Sequence, residues 1–343
     1  MGLLYKPLLL LMINFQKLAD LINSNKSFLL TTHVNPDADA IGSEIAFSNL
    51  LSKLGKSYKI INHSATPYNL KFLDGDNSIE KYDASKHINY FNSSDVLVAL
   101  DFNRSDRMVS MQSGFLESNT LKICIDHHQD PEKFVDHYFI DPDYAATGHI
   151  IFELIKKTGI VNLDLDIAAP LYAAIMTDTG SFRFERTTAE LQRNIAELLD
   201  KGVNPTEIYD QVYDESKLSK IKLLGRSLSS LQLIAGNKIG YMVISQKDFI
   251  ELEALESDTE NFVNYIISVE GVTLGLLFIE LKNGFKVSFR SKGDLPVNKL
   301  AGLFGGGGHT NAAGARFHNS DMNQSIPEIL KEAEKFINNY SKG

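Results

Sequence analysis

The feature that most constrains this chain is a rhythm in residues 27–180, where short apolar runs alternate with amphipathic stretches of helical length. Candidate strands are Phe28–Thr32, Tyr58–Asn62, Val96–Leu100 and Leu121–Ile125; candidate helices are Ala40–Leu54, Thr147–Lys157 and Ile167–Thr177. Strands separated by helices of this length build βαβ units and hence a mainly parallel sheet. Most of the strands read as continuous apolar runs, as a sheet flanked by helices on both faces demands. The expected fold class is α/β. With 343 residues, and about 100–200 residues per domain, the chain has room for a second domain.

A different texture follows residue 190. Segments near Ala189–Leu199 and Pro205–Ser229 read as charged and helical, which suits a connecting region. Shorter strands then come at Leu231–Ala235, Ile239–Ile244, Val272–Glu280 and Phe285–Ser291, followed by a glycine-rich turn and a helix near Ile326–Asn338. We expect a catalytic domain over 13–190, a helical linker over 191–229, and a smaller C-terminal α/β domain over 230–343. The active site is expected in the cleft between the two domains. Upstream, Leu8–Met12 is an apolar run of five beside Lys6 and Pro7, far short of the roughly 18 residues that span a bilayer. A helical pattern of Phe15, Leu18, Ala19 and Ile22 begins just after Met12, which we take as the translational start.

Composition removes other classes. Hydrophobic residues at 43% and charged residues at 22% exclude disorder, collagen and coiled coil as the main state. The net charge of −9 argues against the broad basic face that duplex DNA requires. The single cysteine, Cys124, can form no intrachain disulfide, so a reducing, cytoplasmic compartment is expected.

Most of the chemistry sits just after strands. The first runs into His33-Val34-Asn35-Pro36-Asp37-Ala38-Asp39, the third ends at Asp101, and the fourth ends in Asp126-His127-His128. Asp178 instead closes a helical stretch before Thr179-Gly180. In an open parallel sheet the carboxyl ends of the strands converge on one crevice. Asp37, Asp39, Asp101 and Asp178 gathered there would repel one another unless a cation sat among them. Carboxylates mixed with imidazoles suit Mn²⁺ or a similar divalent ion better than Ca²⁺ or structural Zn²⁺. Four carboxylates and two histidines can supply two adjacent divalent ions with one carboxylate bridging, a centre suited to in-line displacement at phosphorus. Taken singly, Asp39 reads equally as the N-cap of the next helix, and a lone histidine as a satisfied structural residue. The ordered set has no such economical account.

These residues resemble the DHH phosphoesterase superfamily. His33 to Ser43 is similar to its first motif, Asp101 to the second, Asp126-His127-His128 to the third and Asp178 to the fourth. Gly306-Gly307-Gly308-His309-Thr310-Asn311-Ala312-Ala313-Gly314 resembles the signature of the DHH-associated C-terminal domain. Length and that signature are similar to the nanoRNase/pAp phosphatase branch rather than to RecJ exonucleases or family II inorganic pyrophosphatases. The resemblance implies that His33 and Asp37 hold one ion, and Asp39, His127 and Asp178 the other, with Asp101 bridging. It also implies that His128 faces the scissile phosphate and that Asp126 orients the histidines from behind.

The glycine run Gly305–Gly308, followed by a short helical Asn311–Ala313, could present backbone N–H groups to a phosphate. Arg290 and His309 can pair with an anionic oxygen, and Arg107 follows Asp101 closely enough to reach a phosphate. Arg290, Gly307, Gly308, His309 and Arg107 are therefore the expected substrate contacts. The expected activity is Mn²⁺-dependent hydrolysis of short single-stranded oligoribonucleotides and pAp-type nucleotides by two-metal hydroxide attack, with His128 acting on the departing oxygen. The same centre would serve a cyclic-dinucleotide (c-di-AMP) or linear dinucleotide phosphodiesterase. A catalytically silent nucleotide-binding module is the non-enzymatic alternative, but it would not need all six ligands.

Overall fold

A computed structural model describes residues 12–340; the expected start at Met12 turns on residues 1–11, which lie outside the described residues. The apolar runs of the first half become strands, joined by two shorter ones: β1 (Ser27–Thr31), β2 (Ser57–Asn62), β3 (Ile79–Lys81), β4 (Val96–Leu100), β5 (Leu121–Asp126) and β6 (His137–Ile140). They form one six-stranded sheet in the order β3-β2-β1-β4-β5-β6, parallel throughout. The helices are α1 (Phe15–Ser24), α2 (Ala38–Lys53), α3 (Ala84–His87), α4 (Tyr90–Ser93), α5 (Gln112–Glu117), α6 (Thr147–Thr158), α7 (Leu165–Asp178), α8 (Ala189–Leu199) and α9 (Pro205–Tyr209).

Alternate strand residues go to opposite faces, and both faces are covered. Phe28, Leu30, Val98 and Leu100 pack with Leu18, Ile41, Ile150 and Leu171 of the helices on one side. Leu29, Leu97, Ala99 and Cys124 pack with Phe91, Met108 and Phe115 on the other. A strand buried on both sides has no reason to alternate in polarity, which is why these runs read as continuous. Strand order reverses between β1 and β4. That is the place where an open parallel sheet leaves a crevice at its carboxyl edge.

The chain divides into two units, Met1–Glu215 and Ser216–Gly343. The stretch expected to be helical over Pro205–Ser229 is broken: α9 is followed by one π-helical turn, Asp210–Asp214, and helix resumes only at α10 (Leu218–Ser229). Its apolar residues serve two cores, Ile208 and Val212 the first unit's and Leu223 the second's, so one straight helix would not bury both.

The second unit contains β7 (Gln232–Ile234), β8 (Ile239–Ile244), α11 (Gln246–Leu252), α12 (Phe262–Ile267), β9 (Leu274–Leu281), β10 (Gly284–Ser291), α13 (Val297–Gly302), β11 (Gly307–His309), β12 (Ala312–His318) and α14 (Met322–Tyr340). Its sheet runs β11-β12-β10-β9-β8-β7, antiparallel except for the β8–β9 pair. The expected helical turn at Asn311–Ala313 is not formed. Ala312 instead opens β12, which pairs with β10 on one side and β11 on the other. The glycines there serve a hairpin: Gly308 has φ +142°, and a Cβ on it would stand 2.4 Å from the Ala312 carbonyl oxygen. Among the described residues no helix is long and apolar enough to cross a membrane.

Candidate active site

The loop after β1 delivers His33, which is buried. Its Nδ1 lies 2.9 Å from the Val34 carbonyl oxygen, so that nitrogen carries the proton, and Nε2 faces Asp101 Oδ2 at 3.4 Å. Asp37 caps α2 by accepting the Ala40 N–H at 3.0 Å. The helix opens at Ala38, two residues before the expected position, and this puts Asp39 in its first turn rather than at its cap. The Asp39 carboxylate reaches across to α6 instead, accepting the Thr147 N–H at 2.7 Å and the Gly148 N–H at 2.9 Å. Helix α6 has no side-chain cap of its own at Ala146, so Asp39 satisfies its first amides and opposes its dipole. Position 148 must be glycine for this approach, since a Cβ there would come within 2.6 Å of the Ala174 Cβ.

Asp101 directly follows β4 in the left-handed region, φ +65°, which costs a non-glycine residue about 1 kcal/mol or more. Its N–H is bonded to the Ile125 carbonyl at 3.1 Å, and its Oδ1 accepts the Thr147 hydroxyl at 2.8 Å. Asp126, the last residue of β5, is fully buried and accepts from His128 Nδ1 at 2.7 Å. His127 Nδ1 lies 3.3 Å from the Tyr144 carbonyl oxygen. All three histidines are thus anchored through Nδ1 and present Nε2, the arrangement expected of imidazoles held in place for a ligand or a substrate. His127 Nε2 stands 3.0 Å from Asp178 Oδ2 and 3.7 Å from both Asp39 Oδ2 and Asp101 Oδ1. The His128 side chain is the more open of the pair, 29% exposed against 2%.

Burial and crowding dominate the electrostatics. Burial, together with the charges of Asp39, Asp37, Asp178 and Asp126, raises the Asp101 pKa well above the ordinary carboxylate value. Burial and Asp178 push Asp39 up to about 6, although His127 opposes them. For His127, burial works against the charged form. The Asp178 contact and the charges of Asp39 and Asp126 outweigh it and lift the pKa to about 9. Asp126 goes the other way, because its bond and charge interaction with His128 overcome its burial. Acids packed this densely at neutral pH call for positive charge among them.

The donors fit divalent cations. His33, Asp37 and Asp101 offer ligand atoms mutually within 4.8 Å, and so do Asp39, Asp101 and His127. Asp101 is common to both sets, and Asp178 adjoins the second through His127. Mixed oxygen and imidazole donors match a hard-to-borderline divalent ion.

Arg107 is exposed, its carbonyl accepts the Val34 N–H at 2.8 Å, and its charge is among those that lower the His33 pKa, after burial. In the second unit Arg290 pairs with Ala312, and Ala312 pairs with His309. Directly paired antiparallel residues share a face, so Arg290 and His309 stand in one row, about 10 Å apart across two strand spacings. Gly307 and Gly308 lie on β11, the edge strand of that sheet. Of the expected phosphate cradle, the Gly305 and Gly306 N–H groups donate to the Gly302 and Ala301 carbonyls and are already spent.

Thr147 and Asn103 are among the supporting residues that the sequence did not reveal. Thr147 bonds both Asp39 and Asp101, and a signal existed in the Thr-Gly-His that opens the expected helix. Asn103 donates through Nδ2 to the His128 and Gln129 carbonyls, both at 2.9 Å, and clamps the loop after β5. Its position two residues after Asp101 was the only hint.

Comparison with known proteins places the chain in a family. Residues 27–175 match the DHH family N-terminal domain, and residues 238–339 match the DHHA1 domain. The chain is 35% identical over 304 residues to the bifunctional oligoribonuclease and PAP phosphatase NrnA of Thermus thermophilus, covering 88% of this chain and 87% of that protein. It is 26% identical to the Bacillus subtilis protein of the same name over 86% of this chain and 90% of the relative. The crystal structure of an exopolyphosphatase-related protein from Bacteroides fragilis superposes with a TM-score of 0.86 at 30% identity, covering 95% of this chain and 96% of that one. Acidic and histidine motifs in their family order, a parallel sheet that gathers them, and matches across both halves lead to one conclusion: this chain belongs to the DHH phosphoesterase family, with an N-terminal DHH domain and a C-terminal DHHA1 domain.

Proposed function

We propose that the chain is a Mn²⁺-dependent phosphoesterase that hydrolyses short oligoribonucleotides and pAp-type nucleotides. The observation that carries this reading is Asp101, a buried carboxylate shared by two donor sets at the point where strand order reverses. His33 and Asp37 would hold one ion and Asp39, His127 and Asp178 the other, with Asp101 between them. Bound there, two divalent ions supply an acidified water and neutralise charge on the phosphoryl oxygens. The residues do the rest. Asp126 fixes the His128 ring through Nδ1, leaving Nε2 to give a proton to, or stabilise, the departing oxygen. Arg107 and, from the second unit, Arg290, Gly307, Gly308 and His309 would hold the anionic remainder of the substrate. We assign catalysis to 13–190 and substrate binding to 230–343, joined by 191–229; the two family matches lie inside the outer segments. The names of the NrnA relatives support the substrate class. The net charge of −9 favours short strands over duplex DNA, and the lone buried Cys124 suits a reducing cytoplasm.

The test is a panel of pAp, pApA, longer oligoribonucleotides, c-di-AMP and pyrophosphate, assayed side by side with Mn²⁺ and after chelation. Turnover of pAp and pApA that needs Mn²⁺ is the expected result. Preference for c-di-AMP would move the assignment to a cyclic-dinucleotide phosphodiesterase, and no turnover of any substrate would refute the enzymatic reading.

A further inference from the structure

Strand β1 leaves the sheet ladder at Thr31, and the backbone beyond it needs other partners. The Thr32 N–H donates to Asn62 Oδ1 at 3.0 Å, and the same oxygen takes the Thr31 hydroxyl at 3.4 Å. Asn62 Nδ2 donates to Glu44 Oε2 at 2.8 Å. The Thr32 hydroxyl donates to the Leu100 carbonyl at 2.8 Å. Thr31, Thr32, Glu44 and Asn62 are all fully buried. Thr32 immediately precedes His33, and Leu100 immediately precedes Asp101. One residue is therefore pinned at its amide by the end of β2 and at its hydroxyl by the end of β4. It directly precedes His33 and bonds the residue directly before Asp101, and those two side chains approach to 3.4 Å.

Asparagine suits the post because one side chain offers both an acceptor and a donor. Aspartate would lose the donor to Glu44, and leucine would leave the Thr32 amide and the Glu44 carboxyl without partners in a fully buried place. We propose that Asn62, braced by Glu44 and acting through Thr32, is a positioning residue for the cation set formed by His33, Asp37 and Asp101. It touches neither cation nor substrate. The inference rests on the reading of those three residues as metal ligands.

The test measures Mn²⁺ affinity of the full chain by the electron paramagnetic resonance signal of free Mn²⁺, without any turnover. Asn62→Ala should weaken binding by about 10–100-fold, the loss usual when a partner behind a metal ligand is removed. Thr32→Val keeps the shape and the amide, deletes only the hydroxyl bond, and should weaken binding by a smaller factor. Ile60→Val, which thins the core of the same strand, should leave Mn²⁺ affinity unchanged. If Asn62→Ala fails to fold, Thr32→Val decides alone. Wild-type affinity in the folded variants overturns the proposal, and so does an equal loss in Ile60→Val. A wild-type chain that binds no Mn²⁺ overturns it together with the metal reading, whereas wild-type binding with unaffected variants overturns the positioning role only.

Discussion

Glu44 offers a clean way to test how buried acids are tolerated near this site. It lies on α2 with no exposure; Asn62 bonds one carboxyl oxygen, and the other, Oε1, has no hydrogen-bond partner. Burial, helped by the charge of Asp74 and opposed by the Asn62 bond, pushes its pKa from 4.5 to about 8. Between those values the folded chain keeps a proton that the unfolded chain has released. Folded-state stability must therefore fall as pH rises from about 4.5 to about 8. At pH 7 the interval above 4.5 is 2.5 pH units, and about 1.4 kcal/mol per unit makes the cost about 3.5 kcal/mol. Glu44→Gln keeps the shape and the acceptor toward Asn62 but cannot ionise. It should stabilise the N-terminal unit by about 3–4 kcal/mol at pH 7, by more at pH 8.5, and by almost nothing at pH 4.5. Urea unfolding of both proteins across that range, without added metal, measures the difference directly. An equal gain at every pH, or none at pH 7, would refute the argument.

Three further outcomes follow from the geometry. Asp101→Asn should abolish phosphoester hydrolysis and lower the number of Mn²⁺ ions bound, with an unchanged far-ultraviolet dichroism spectrum; full turnover would remove Asp101 from the shared position. His128→Gln should cut kcat by about 10²–10⁴-fold, the usual contribution of a placed acid or base, while Mn²⁺ affinity stays within twofold. Gly148→Ala would put a methyl about 2.6 Å from the Ala174 Cβ. Its cost should be about 1–3 kcal/mol in thermal unfolding, with weaker Mn²⁺ binding, because the α6 amides must back away from Asp39.

The parallel half of the molecule was legible because burial on both faces writes long apolar runs, and because the strand-end acids fall where such a sheet must open. The strands β3 and β6 were not: Ile79-Glu80-Lys81 carries one apolar residue in three, and both lie at sheet edges where burial imposes little pattern. The glycine-rich segment misled for a related reason. Asn-Ala-Ala reads as helical locally, but pairing with β10 and β11 overrides that weak preference. At the site, the acids and histidines declared themselves by type and order. Thr147, Asn103 and Asn62 did not, since a hydroxyl or an amide has a role only once its partners, 46, 25 and 18 positions away along the chain, are known. Asp39 shows the limit best: it was read as either a ligand or a helix cap, and it does cap a helix, but one that begins 108 residues later.

That grip makes folding and readiness the same event. A carboxylate clasped by the amides of another helix cannot swing out to be hydrated, so its aim is set as soon as α2 and α6 dock. Whatever the centre later captures finds that oxygen already oriented. A divalent cation bound there would relieve the crowding of acids rather than reshape the protein.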